Sequence, residues 1–60
     1  MSVSVLITAA KARHDVLDVV YKGMVGTGLS DTDQLLAVLS GMYAISIVIE
    51  DMEAINNQDN

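Results

Sequence analysis

Sixty residues, 52% of them apolar and 18% charged, are too few for two domains or a large cofactor-binding fold. With no Cys, Pro, Trp or Phe, the chain has neither a disulfide nor a thiolate metal site to staple it. The formal charge of −5 divides into +1 over residues 1–30 and −6 over residues 31–60, so the basic stripe that direct nucleic-acid binding requires is excluded.

The first apolar series is Leu6, Ala10, Arg13, Leu17, Val20 and Met24, whose steps alternate between four and three. That spacing predicts a helix over about 5–24 with one side facing a partner. Lys11, His14, Asp15, Asp18 and Lys22 fall on the opposite side, where Lys11/Asp15 and Asp18/Lys22 stand four apart and attract weakly. Residues 1–12 lack a basic leading stretch, and the apolar run 5–10 is broken by Thr8 and closed by Lys11, which is unlike a secretory signal. A cytoplasmic location is the expectation.

Gly23, Gly26 and Gly28 then interrupt the pattern and predict a turn over about 25–30. Ser30-Asp31-Thr32-Asp33 has the form of a capping box, with Ser30 accepting from the Asp33 N–H and both aspartates at the positive end of the helix dipole. A second helix is predicted from there over about 31–55, followed by a frayed polar tail at 56–60.

The second helix carries three stripes. Leu35, Val38, Met42, Ile45, Ile49 and Met52 repeat at three and four; Leu36, Ser40, Tyr43, Ile47 and Ala54 run beside them; Ala37, Gly41 and Ala44 lead into Val48 and Ile55. A helix apolar nearly all round must be buried on more than one side, yet one partner helix covers only one. The β-branched runs 2–7 and 44–49 also admit a reading as strands. Against it, the helical spacing continues through Ile45, Ile49 and Met52 with no turn residue at a junction.

The fold expected is therefore all-α: an antiparallel hairpin over 1–60 as one domain, self-associating as a dimeric four-helix bundle or a higher oligomer. A chain this short buries only about 60% of the surface its unfolded form exposes, and a partner subunit is the remaining staple. The expected oligomer interface comprises Leu35, Leu36, Val38, Gly41, Met42, Tyr43, Ile45, Ile47 and Ile49.

Arg13 is the unusual residue, because the helical wheel places it among Ala9, Val16, Leu17 and Val20. If Lys22 faces Asp33 across the turn, Arg13 lies level with Met42, and Glu50 is about 12 Å away at 1.5 Å per residue. Its stem then packs on neighbours with the guanidinium reaching out, or it meets a carboxylate of another subunit or an anionic ligand at the interface. Tyr21 and Tyr43, the only aromatics, fit the border of a helix interface, and in the ligand reading either helps Arg13 to hold the anion.

No catalytic machinery is indicated. His14 is the single base for five serines, so no triad is expected, and with Asp18 it makes two metal ligands at most. The glycine segment lacks the spacing and the lysine of a phosphate loop. No cofactor and no metal are expected. Glu50, Asp51 and Glu53 form an acidic end suited to docking on a larger protein. The uncharged stretch 35–49 resembles a membrane dimerisation face, but its fifteen residues reach only about 22 Å. The function expected is a small non-enzymatic homo-oligomer acting as a regulator or inhibitor on a larger protein; an anionic-ligand binder using Arg13, and a membrane-associated oligomer, are the alternatives.

Overall fold

Ser2 caps the first helix, its Oγ accepting from the Val5 N–H at 3.4 Å. Such a cap satisfies one of the four N–H groups that a helix start leaves unpaired. The computed structural model describes residues 2–58: α1 spans Val3–Thr27, α2 spans Thr32–Gln58, and the two pack antiparallel into a rod of 46 × 15 × 14 Å. Both β-branched runs, as far as they are described, are helical from Val3 onward, and no strand occurs among the described residues.

Both helices are longer than their sequence spacing predicts. Gly23 and Gly26 lie inside α1, and the turn is confined to residues 28–31. Gly28 alone ends the helix, at φ 67° and ψ 10°, its N–H donating to the Val25 carbonyl at 3.2 Å. That left-handed conformation crowds any Cβ against the next carbonyl. Gly28→Ala should therefore cost about 1–2 kcal/mol in urea unfolding; an unchanged midpoint would show that the turn does not depend on this conformation.

The capping box lies one residue later than Ser30 and Asp33 imply. Asp31 Oδ1 accepts from the Gln34 N–H at 2.8 Å, and Gln34 Oε1 accepts from the Asp31 N–H at 3.1 Å. Asp33 still falls in the first turn, where its charge suits the helix dipole. At the other end α2 continues to Gln58, so residues 56–58 of the expected frayed tail are helical, while Asp59 and Asn60 lie outside the described residues.

The seam between the helices follows two four-three series. On α2 it is Leu35, Val38, Met42, Ile45, Ile49 and Met52, all half-buried, as their spacing predicts. On α1 it is Val3, Ile7, Ala10, His14, Leu17, Tyr21 and Met24, so the predicted stripe is only half in the seam: Leu6, Arg13 and Val20 are exposed. Among the described residues only Ile7 is buried, at 8% exposure.

Lys11 Nζ reaches Glu53 Oε1 at 3.2 Å across the open half of the seam, rather than Asp15 on its own helix. Lys22 pairs at 2.8 Å with Asp18 one turn back and does not face Asp33. The register is accordingly shifted from the one expected: Leu17 lies against Gly41, and Arg13 is beside Ile45 rather than Met42. Hydrogen bonding to Asp18 and its negative charge raise the Lys22 pKa. Its contribution is thus full below the ordinary lysine value and is lost only as pH rises through the raised one. Solvent screens an exposed pair of this kind, so its part in holding the fold is small.

Candidate functional site

The two broad sides of the rod differ in chemistry. On one, Lys11, His14 and Asp15 border a shallow groove with Ser46 and Ile49. The Lys11–Glu53 and Asp18–Lys22 pairs give α1's charged side its cations and partners, and Ser46 Oγ donates to the Tyr43 carbonyl at 2.7 Å, which satisfies that hydroxyl within its own helix. His14 is half-buried in the seam. Among the described residues no three His, Asp or Glu side chains gather as a metal site.

The other side is apolar. Arg13 stands between two open grooves of about 430 and 230 Å³, the first lined also by Ala12, Val16, Leu17 and Ile45, the second by Ala10, Ala44, Ile45 and Val48. Arg13 is exposed and makes no ion pair among the described residues. From it the apolar surface continues outward over α1 through Val5, Ala9, Ala12, Val16 and Val19, spaced four, three, four and three; Val16 is 62% and Val19 70% exposed. This second stripe on α1 was open to sequence reading from its spacing, but the neighbouring Leu6–Met24 series fits a helix equally well and hid it.

The expected interface residues divide into two groups. Leu35, Val38, Gly41, Met42, Ile45 and Ile49 are half-buried, on the side of α2 turned toward α1, whereas Leu36, Tyr43 and Ile47 are exposed on its outer surface, Tyr43 at 69%. Tyr21 is half-buried in the seam, so the two aromatics do not share an environment. Of the three docking acids, Glu53 is held by Lys11, while Glu50 and Asp51 are exposed. Arg13 lies with neither acid but among the alanines and valines of the apolar side.

No family model, curated protein or solved structure matches the chain. What the fold defines is therefore a class only, an all-helical hairpin with one charged and one apolar broad side.

Proposed function

We propose that this chain is a small non-enzymatic interaction protein that works as a homo-oligomer and presents its acidic α2 end, Glu50 and Asp51, to a larger protein. One observation carries the reading. The hairpin exposes 4421 Å² at a mass of 6.4 kDa, about 600 Å² more than the roughly 3,800 Å² typical of a folded monomer that size. The surplus includes large apolar side chains on both helices, from Val5 and Val16 to Leu36 and Val48. Contiguous exposed apolar surface of several hundred Å² marks an interaction site. Light scattering across a dilution from millimolar to micromolar tests it: the weight-average mass should fall toward one chain as the protein is diluted. A single-chain mass at every concentration refutes self-association.

A second reading has its own support. At 27 residues α2 is about 40 Å long, and it contains an 18-residue window of mean hydropathy 1.7, none of it buried in the hairpin. By length and composition it can cross a bilayer. Acids at both ends of α2 and no Lys or Arg along it count against that placement. Recovery of the expressed chain in a detergent-free supernatant would decide for the soluble oligomer, and recovery in the membrane fraction for the span.

A further inference from the structure

We propose that a second copy of this chain docks on the apolar broad side, across Val16, Ala44 and Val48, with the two Arg13 side chains meeting near the two-fold axis. The inference rests on the self-association reading and adds to it the surface and the symmetry. Area is the first argument. Two copies that hid their surplus against each other would bury about 1,200 Å² in total, the lower edge of specific, stable interfaces. The surplus of one hairpin thus matches what one copy of itself needs.

Charge is the second. The opposite side carries Lys11, Asp15, Asp18, Lys22 and Glu53, whose removal from water is costly. Among the described residues that line the proposed side, Arg13 is the one charge, set among alanine, valine, leucine and isoleucine side chains. Small residues there, Ala12 on α1 and Ala44 on α2, allow close approach of two such surfaces.

Position is the third. Arg13 lies near the middle of α1 and packs beside Ile45, the middle of α2. A two-fold axis that overlaps two antiparallel hairpins along their full length passes close to this level, and in a parallel pair, whose axis runs along the rods, each Arg13 again stands level with its twin. Each guanidinium, which has no ion pair among the described residues of its own chain, is then desolvated beside its twin and opposes association. Arg13 limits the affinity of the assembly and penalises unrelated cationic partners.

The chain has no cysteine, so a single introduced one reports only contact between copies. Ala44→Cys, one residue from Ile45, should form a disulfide-linked dimer on mild oxidation, since a bridge needs Cα atoms within about 7 Å. Asp15→Cys, on the charged side, should remain a monomer under the same treatment. In parallel, Arg13→Met should tighten the dimer about tenfold or more in the dilution experiment, with helix content by circular dichroism unchanged. If Ala44→Cys stays monomeric and Asp15→Cys cross-links, or if Arg13→Met weakens association or leaves it unchanged, the proposed surface is wrong while self-association stands. A wild-type chain that is monomeric throughout, or that is monomeric in water and co-sediments with phosphatidylcholine vesicles, overturns both.

Discussion

Replacing Ile7 with alanine is expected to lower the free energy of unfolding by about 2–3 kcal/mol, measured in urea at fixed protein concentration. Ile7 is the only buried side chain among the described residues. Deleting its branched tip removes the transfer energy of three carbons and leaves a gap that two helices can only partly close by moving together. The figure lies at the lower end of the usual range because the surrounding seam is half-exposed and free to relax. A chain of sixty residues has on the order of 3–9 kcal/mol in all, so the change is a large fraction of the whole. A loss below about 0.5 kcal/mol, the range of an ordinary surface substitution, would mean that the open half of the seam is not packed as described.

Gly41 should give opposite signs for two substitutions. A Cβ built there meets Leu17 Cδ1 at 3.7 Å, an ordinary packing distance, and no other atom within 4 Å outside its own helix. Gly41→Ala therefore fits without displacement and removes the conformational freedom of a mid-helix glycine, a gain of about 0.5–1 kcal/mol. Gly41→Leu adds three further carbons on the side where Leu17 already stands and should cost about 1–3 kcal/mol by overpacking. Thermal unfolding of both variants checks the pair. Equal shifts of the same sign would place α1 and α2 farther apart than the Leu17 contact requires.

What could be read before folding depended on how unevenly each helix distributes its apolar residues. The α2 series from Leu35 to Met52 became the seam because the stripes beside it contain Ser40, Ala37 and Gly41, smaller and poorer anchors than leucine and isoleucine. On α1 the apolar residues cover more than half the circumference, and two neighbouring series compete. The one that packs includes His14 and Tyr21, whose polar tips disguise rings that serve as seam residues. Register eluded sequence reading for a local reason: Lys22 is satisfied by Asp18 one turn away, leaving nothing to bring it to Asp33. The cap moved by one residue because Gln34 returns the hydrogen bond that Asp33 was expected to supply. Arg13 was recognisable as a lone charge among apolar neighbours, whereas the wide surface around it emerged only once the seam had claimed Ala10 and Leu17 and left Val5, Val16 and Val19 outside.

The brevity of the link at residues 28–31 governs the order in which the rod closes. Seam partners beside it are separated by few residues, so bringing them together costs little chain entropy, and each successive layer adds only a small increment once the one before has formed. The two helices can thus zip from the glycine corner toward the far tip. The Lys11–Glu53 clasp and Ile7 form late in that sequence, and they hold shut the end that would otherwise peel first.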